Sequence, residues 1–380
     1  MYNTANFFWV INMNAFLLFV AIFSVIIDLA SPLSVYGAQL IIFPLCCILL
    51  YINSGAKICY QSVIFVISLI TVIFISAFIH VNISTHTEIL IYQSLKISIW
   101  LFSAMLLYHA AVNIMEHIVF KAVSAALVLY VTCLVLQVIF YSLHGTIIDY
   151  STMIGGEPSR NMMSGVGFRP TGLTAEPSVY CGITAWLISL RYAINKKTDT
   201  LFILSCMSML LTLSFVGAFL CFGILLIGML RVRMIIPVVG FAFIAYLVLI
   251  DRINERVSLF LSGADGSNNV KIDTITNFMA NPDIYTYGYG FVGKSISAPS
   301  FYESLYDMTI FGNLFTIFGI PFGIISLIAF IAFIIRINLS KRAKIMLLIS
   351  SLKISLPFFA IFYLAMSLFL VISKNNKCKS

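Results

Sequence analysis

Residues 61–80 read QSVIFVISLITVIFISAFIH, a run without a single acidic or basic residue apart from the closing His80. A helix rises about 1.5 Å per residue and the hydrocarbon core of a bilayer is about 30 Å thick, so a run of this length crosses a membrane. Similar runs recur from Phe7 to Ile372, with no polar stretch long enough for a separate domain. The sequence predicts one integral membrane domain over residues 1–380, an all-α polytopic bundle with about 11 to 12 spans.

The composition excludes a soluble protein. Of the 380 residues, 61% are hydrophobic and 9% charged, whereas a soluble domain has roughly a quarter charged residues. The net charge of +8 does not indicate a nucleic-acid partner, because Lys and Arg are dispersed at the ends of apolar runs. We therefore expect membrane lipids as partners and no nucleic acid.

The predicted spans follow from the apolar runs and their polar boundaries. They are Phe7 to Ile27, Gly37 to Ile52, Gln61 to His80, Ile89 to Ala110, Ile118 to Tyr141, Ser178 to Ile194, Thr200 to Leu213, Phe215 to Leu230, Met234 to Ile250 and Gly319 to Ile335. Residues 344–372 allow two readings: one long tilted span, or two short helices broken near Lys353 and restarted at Pro357.

Positive charge in the short loops predicts the orientation, because Lys and Arg are retained on the cytoplasmic side. All Lys and Arg residues of the short loops lie on one face, whereas the loops 28–36 and 81–88 on the other face contain no Lys or Arg. We expect a multi-pass membrane protein with its N-terminus in the cytoplasm. Two long loops, at about 142–177 and 251–318, then lie on the outer side of the membrane. The basic tail after Ile372 favours the two-helix reading of residues 344–372.

The first long loop ends in Arg169-Pro-Thr-Gly-Leu-Thr-Ala-Glu176-Pro177-Ser178, directly before a predicted helix. Glu176 precedes a proline at the first helical position, where unpaired backbone N–H groups favour a negative charge. One interpretation is that Glu176 is a functional carboxylate with a nearby cation, Arg169. The other is that Glu176 only caps the helix and that Arg169 is an unrelated surface arginine.

The second long loop begins with Arg252 and Arg256 at headgroup depth. Guanidinium groups bind phosphate through paired hydrogen bonds, although arginines at this depth also serve as interfacial anchors. Tyr289, between two glycines, and Tyr302 are candidates for stacking on sugar rings; tyrosines equally suit a membrane interface. Apolar residues then recur at helical spacing from Glu303 to Phe318, which predicts an amphipathic surface helix beginning at Glu303, a candidate general base or helix cap.

These pieces together resemble the O-antigen polymerase (Wzy-type) and O-antigen ligase superfamily. The resemblance covers Phe168 to Gly323 and rests on the Arg169-to-Ser178 segment, Leu211-Thr-Leu-Ser214, the arginines opening the second loop, Gly288-Tyr-Gly290, and Glu303-Ser304 before Gly319-Ile-Pro-Phe-Gly323. Many relatives have an arginine after the serine of the short turn, where this chain has Phe215. The ligases place a histidine near Glu303, and the second loop has none, which favours a polymerase.

The resemblance implies a metal-independent glycosyltransferase of GT-C-type architecture that acts in lipopolysaccharide biosynthesis and needs no cofactor. It also implies that the membrane is a bacterial inner membrane and that the two long loops lie in the periplasm. Its substrate would be an oligosaccharide linked to undecaprenyl diphosphate, and a chain-length regulator protein is a candidate partner. Arg169 and Arg256, with Arg252 as a substitute, would bind the diphosphate. Glu303 would deprotonate the acceptor hydroxyl, and Glu176 would orient Arg169 or contact the sugar.

Other features bear on rival functions. Lys96 lies inside the fourth predicted span, where a charge is costly, so it faces protein or water; it either contacts a phosphate or packs within the bundle. No histidine or cysteine spacing indicates a zinc site, and we expect no metal. A polysaccharide flippase or other transporter is the rival from a different class, but polar residues concentrate in the loops rather than at mid-membrane on paired halves.

Overall fold

The computed structural model describes residues 4–81, 86–163, 167–229, 250, 254, 258, 261–263, 266–293, 298–306, 308–354 and 358–379. Within these ranges the side chains of residues 4–12, 163, 266–268, 300, 303, 306, 378 and 379 are outside the description.

The described chain is almost entirely helical, as the sequence predicts. A π-helical segment, Leu33–Ile42, leads directly into α2, and a 3-10 helix, Ser300–Tyr306, precedes α12. The α-helices are α1 Thr4–Ile26, α2 Phe43–Asn53, α3 Tyr60–Val81, α4 Thr87–Val112, α5 Glu116–His144, α6 Tyr150–Met153, α7 Pro177–Asn195, α8 Thr200–Leu211, α9 Phe215–Gly228, α10 Gly266–Ala280, α11 Pro282–Tyr287, α12 Ile310–Arg336, α13 Lys341–Ser350 and α14 Ala360–Lys379. Strands β1 Met162–Met163 and β2 Gly167–Phe168 form a small antiparallel pair in which Met162 faces Phe168.

Five helical segments in the described residues are long and apolar enough to cross a membrane: Leu33–Asn53, α3, α4, α5 and α12. The chain is therefore a membrane protein by length and composition. Shorter apolar helices are Met13–Ile26, α8 and α9. The predicted span at 234–250 lies outside the described residues except for its last position, so the expected total of about 11 to 12 spans stays a prediction.

Contacts between helix ends define two faces of the bundle. At one end, Asn113 after α4 donates a hydrogen bond to the Ser54 carbonyl after α2 (3.3 Å), and Asn338 N–H donates to Ser373 Oγ (2.7 Å). We call this end the basic face, because the described Lys and Arg residues of the short loops lie there. We call the opposite end, where α3 and α5 terminate, the site face.

Helix α7 forms the centre of the bundle. Every residue from Val179 to Ala193 is buried, because α5, α8, α9, α13 and α14 all pack around it. This explains why α7 is polar for a membrane helix: its side chains meet protein rather than lipid. Thr184 and Ser189, for example, are both fully buried and hydrogen-bonded.

Helices α13 and α14 form a hairpin that enters the bundle from the basic face and returns to it. The hydrogen bond between Asn338 and Ser373 places the start of α13 beside the end of α14. The hairpin tip, residues 351–354, is not helical. Of the two interpretations of this stretch, the described residues agree with the two-helix one: α13 ends at Ser350, close to Lys353, and α14 begins at Ala360. The predicted restart at Pro357 lies outside the described residues. The hairpin tip lies inside protein, which satisfies the rule that irregular backbone is not exposed to lipid.

The predicted surface helix beginning at Glu303 is only partly correct. The chain from Ser300 to Tyr306 forms a 3-10 helix, and the α-helix starts at Ile310, where Thr309 Oγ1 accepts a hydrogen bond from Gly312 N–H (3.4 Å). Thr309 is a good N-cap, so the local sequence restarts the helix there. The helix then breaks at Gly319, with φ of 70°, as the sequence predicted for the junction with the following span.

Candidate functional site

The segment from Arg169 to Glu176 descends into the bundle from the site face. Gln137 Oε1, on α5, accepts hydrogen bonds from the N–H groups of Thr171 (3.1 Å) and Gly172 (2.8 Å). Because α5 continues for two further turns to His144, these amides lie about 10 Å below the end of that helix. The segment is therefore buried within the site-face end of the bundle, with Thr171 and Thr174 fully buried, rather than exposed as a surface loop.

The backbone conformation and the packing of this segment both require glycine at position 172. Its φ of 57° is in the left-handed region that side chains disfavour. A Cβ atom would also lie 2.8 Å from the ring of Tyr180, which is stacked on Tyr130 with ring centroids 4.7 Å apart. The glycine of the predicted signature thus has a steric explanation.

Asp28, just after α1, joins this segment through its backbone. Asp28 N–H donates to the Leu173 carbonyl (3.0 Å), and Ala175 N–H donates to the Asp28 carbonyl (2.8 Å). Gln39 Nε2 donates to the Asp28 carboxylate (3.4 Å). The two long-separated segments therefore form one unit, and a carboxylate that the sequence analysis did not single out belongs to the site.

The electrostatic surroundings of Asp28 link it to three other charged groups. Although the side chain keeps partial exposure, burial of its carboxyl raises the pKa above the ordinary value, and the hydrogen bond from Gln39 and the charge of Lys96 offset this in part. Glu176 raises the pKa further and Lys353 lowers it. Asp28 thus lies within electrostatic range of one carboxylate and two lysines.

Glu176 occupies the N-cap of α7 with Pro177 as the first helical residue, as predicted. Its carboxylate does not cap the helix but forms an ion pair with Arg160 Nη1 (2.7 Å). Arg160, on the loop before β1, is held in place by its N–H, which donates to the Ala175 carbonyl (2.8 Å). Arg160 was not among the predicted site residues. The predicted pairing of Glu176 with Arg169 stays a prediction.

Arg169 lies at the upper end of the descending segment. Its N–H donates to the Asn161 carbonyl (2.8 Å), which orders the loop around β1 and β2. Its side chain is partly buried and is close enough to Cys181, in the first turns of α7, to interact with it electrostatically. Arg169 and Glu176 are therefore both at the site-face end of α7.

Lys96 brings a buried cation to the site from α4. It lies nine residues after Thr87, about 13 Å along the helix from its first residue. The side chain is 7% exposed, and its Nζ atom lies 5.0 Å from the Trp100 ring centroid and 5.6 Å from that of Tyr92. Lys96 therefore packs within the bundle and is within electrostatic range of Asp28. The alternative prediction, that Lys96 contacts a phosphate, stays a prediction.

Lys353 reaches the site from the tip of the α13–α14 hairpin. It is 4% exposed, and Glu176 is the charged group that acts most strongly on it, followed by Lys271 and Arg160. The tip is fixed against α7, because Trp186 Nε1 donates to the Ile354 carbonyl (3.0 Å). A lysine inside an apolar stretch was the one sequence signal that could have indicated this position.

The tyrosines predicted to contact sugar lie in a separate aromatic cluster. Tyr289 is 3% exposed and Tyr302 6% exposed, with ring centroids 5.6 Å apart. Phe278 and Phe301 also pack against Tyr289. The structure gives both tyrosines a packing role, and a sugar contact stays a prediction.

The glycines around Tyr289 serve a close contact between backbones. A Cβ on Gly288 would lie 2.3 Å from the Ile317 carbonyl oxygen, and one on Gly319 would lie 2.1 Å from the Thr286 carbonyl oxygen. His80, at the end of α3, lies beside this contact, and its Nε2 is 2.9 Å from the Tyr287 carbonyl oxygen.

The remaining predicted residues cannot be placed in the site. Arg252 and Arg256 lie outside the described residues, and Glu303 is described only as backbone within the 3-10 helix. Their proposed roles stay predictions. Among the described residues, no group of three or more His, Cys, Asp or Glu side chains is arranged to hold a metal ion.

Comparisons of the chain with protein-family models, with curated proteins and with solved structures gave no significant match.

Proposed function

We propose that this protein is a glycosyltransferase that polymerises oligosaccharide repeat units linked to undecaprenyl diphosphate. The site face would be periplasmic, the N-terminus cytoplasmic, and the membrane the inner membrane of a bacterium. The two long loops and the bundle would form a GT-C-type architecture. Arg169 and Glu176 would belong to the catalytic site, with Arg256 and Glu303 contributed by the second loop.

The observation that supports this proposal is the set of charged side chains at the site-face end of α7. Glu176 is ion-paired with Arg160 (2.7 Å) and acts electrostatically on the buried Lys353. Arg169 lies near Cys181, in the first turns of the same helix. Cationic side chains gathered at this depth suit an anionic substrate that enters from the membrane.

A lipid diphosphate fits this site chemically. It has charged phosphoryl oxygens next to an apolar chain, so the charged groups would bind at the site-face end of α7 while the chain stays in lipid. Arginine and lysine side chains neutralise the negative charge that develops on the departing diphosphate. In this role they supply the electrostatic stabilisation that a metal ion supplies in other transferases.

The reaction would proceed by direct substitution at the anomeric carbon. A hydroxyl oxygen of the acceptor sugar forms the new C–O bond while the bond between the anomeric carbon and the phosphate oxygen breaks. The lipid diphosphate leaves with that electron pair. The hydroxyl proton passes to a carboxylate, for which Glu303 is the predicted base.

The test is glycan chain length in envelope extracts of cells that depend on this protein. Arg169→Ala and Glu176→Ala are expected to abolish long chains and to accumulate lipid A core bearing one repeat unit. Arg256→Ala and Glu303→Ala test the predicted residues of the second loop in the same way. Arg336→Ala, exposed on the basic face, and Glu157→Gln, exposed on the first loop, are matched controls.

Each other outcome identifies a different function. Loss of all glycan from the core, with lipid-linked polymer retained, indicates a ligase. Accumulation of unpolymerised lipid-linked repeat units on the cytoplasmic side indicates a flippase. Normal chain length in both Arg169→Ala and Glu176→Ala contradicts the site assignment.

A further inference from the structure

One carboxylate organises the loop that leads from α5 to α7. Asp149 Oδ1 accepts hydrogen bonds from Ser151 N–H (2.9 Å) and from the Ser159 hydroxyl (2.8 Å). Its Oδ2 accepts from Ser159 N–H (2.8 Å) and from Asn161 Nδ2 (3.3 Å). The three donor residues are all more than nine-tenths buried. An ionised carboxylate accepts about four hydrogen bonds, so the Asp149 side chain is fully engaged in holding this loop together.

The residues that Asp149 holds determine where two arginines lie. Ser159 and Asn161 are the neighbours of Arg160 in the chain, so both ends of that residue are fixed. The Asn161 carbonyl in turn accepts a hydrogen bond from Arg169 N–H (2.8 Å). The backbones of both arginines are therefore tied to the same carboxylate, one through its chain neighbours and the other through one further hydrogen bond.

The ion pair between Arg160 and Glu176 depends on this support. The two side chains are 63% and 29% exposed. Ion pairs between exposed groups contribute little, because ordering two long side chains offsets much of their attraction. A fixed backbone reduces the conformational entropy that Arg160 loses on pairing. The same exposure makes its guanidinium group accessible to a substrate at the site face.

Asp149 also caps the short helix α6, and this role can be separated from the first. The cap is the hydrogen bond from Ser151 N–H to Oδ1, and asparagine caps a helix about as well as aspartate. The bonds from Ser159 N–H and Asn161 Nδ2 reach the other oxygen. An asparagine with its oxygen on the cap would place its NH₂ group against both of these donors. Asp149→Asn therefore keeps the cap and removes the support of the loop.

We propose that Asp149 is a positioning residue, whose carboxylate fixes residues 159–161 and thereby holds Arg160 and Arg169 at the site-face end of α7. The inference rests on the proposed function, in which these two guanidinium groups contact the anionic part of the lipid diphosphate. It adds Arg160 as a substrate-binding residue and Asp149 as the group that sets its position. Asp149 acts through the arginines and does not contact the substrate.

Cleavage by trypsin tests the positioning without requiring activity. The Lys and Arg residues of the first long loop, residues 142–177, are Arg160 and Arg169. Trypsin does not cleave the bond that precedes a proline, and Pro170 follows Arg169. Cleavage within this loop therefore occurs after Arg160, and mass spectrometry detects it as a new N-terminus at Asn161.

The purified full chain in nanodiscs is compared with two variants. We expect Asp149→Asn to raise the rate of cleavage after Arg160 at least tenfold. Glu157→Gln removes an exposed carboxylate from the same loop and is the matched control, which should be cleaved at the wild-type rate. Cleavage after Lys57, exposed on the basic face, should be equal in all three proteins and reports an intact bundle. Cleavage after Arg160 at the wild-type rate in Asp149→Asn would overturn the proposal.

Glycan chain length shows whether the positioning serves the proposed reaction. Asp149→Asn should shorten the chains, and in the Arg160→Ala background it should shorten them no further, because it acts through that residue. A residue that only stabilised the bundle would add to Arg160→Ala and would also speed cleavage after Lys57. Faster cleavage after Arg160 with chains of normal length would overturn the proposal.

The proposal and the proposed function fail separately. Normal chains in both Arg169→Ala and Glu176→Ala contradict the function, whereas the cleavage rates decide by themselves whether Asp149 fixes the loop. Hydrogen exchange in the wild type decides the case in which Asp149→Asn does not fold. The amides of Ser159 and Arg160 should exchange at least tenfold more slowly than those of an unstructured peptide, and exchange of both at the peptide rate would overturn the proposal.

Discussion

Gly182→Ala tests the contact on which the position of Lys353 depends. A Cβ at residue 182 would lie 2.4 Å from Ile354 Cγ1 and 3.1 Å from Lys353 Cγ. Carbon atoms in contact are normally at least about 3.5 Å apart, so α7 and the hairpin tip would have to separate by about 1 Å. Ile354 is fully buried and β-branched, so it cannot rotate away easily.

The expected magnitude follows from two opposing effects. Overpacking a buried contact costs about 1–3 kcal/mol, while replacing glycine by alanine within a helix favours folding by about 1 kcal/mol. The net effect should be a loss of about 1–2 kcal/mol in the free energy of unfolding.

Thermal unfolding in detergent, followed with a thiol-reactive dye, measures the stability. Cys181 and Cys206 are buried free thiols that react only when the bundle opens. Gly223→Ala on α9 is the matched control, because its nearest neighbour is the flexible Cδ1 end of Ile349 at 3.2 Å. Ile354→Ala should relieve Gly182→Ala, with a coupling of roughly 0.5–3 kcal/mol in the double variant. An unaltered midpoint for Gly182→Ala, or strict additivity with Ile354→Ala, would refute the close contact.

Three further predictions concern the descending segment and the basic face. Gln137→Leu should destabilise the protein by about 1–3 kcal/mol for each of the two amides left without an acceptor, as measured by thermal unfolding. Gln137→Glu keeps the acceptor oxygen and should lose less stability. Gly172→Ala should shorten glycan chains and lower the unfolding midpoint, because the residue has φ of 57° and touches the Tyr180 ring; full activity would refute the steric argument. Hydrogen bonds from Arg191 hold the pKa of Asp199 below its ordinary value of 3.8, so this ion pair stabilises the fold above about pH 4 and is lost as the pH falls through the folded pKa. Between about pH 5 and about pH 3 the midpoint of the wild type should therefore fall more than that of Asp199→Asn; parallel curves would contradict this role.

The helices that face lipid could be predicted best from the sequence, because each is one continuous apolar run. Helix α3 begins and ends within one residue of the predicted span 61–80, because its apolar run is bounded by polar residues on both sides. The α13–α14 hairpin was harder to predict, since a run of that length also permits a single tilted span. The positive tail favoured the hairpin, and packing against α7 accounts for it.

The site could be predicted only where its residues are adjacent in the sequence. Arg169 and Glu176 lie in one local pattern, and the cap at Glu176 is where the pattern indicates. Asp28 and Lys353 were missed because they reach the site through contacts with distant segments, which no local spacing encodes. Tyr289 was expected on a sugar-binding surface but lies buried, because a tyrosine beside glycines suits a packed cluster as well as a platform.

The most direct test of the central claim is a cryo-EM structure of the protein in nanodiscs with a non-hydrolysable lipid diphosphate bound. The account predicts density for the diphosphate at the site-face end of α7, in contact with Arg169 and beside the Arg160–Glu176 ion pair, with the lipid chain leaving the bundle toward the membrane. Diphosphate density at the basic face, or at the site face without contact to Arg169, would contradict it.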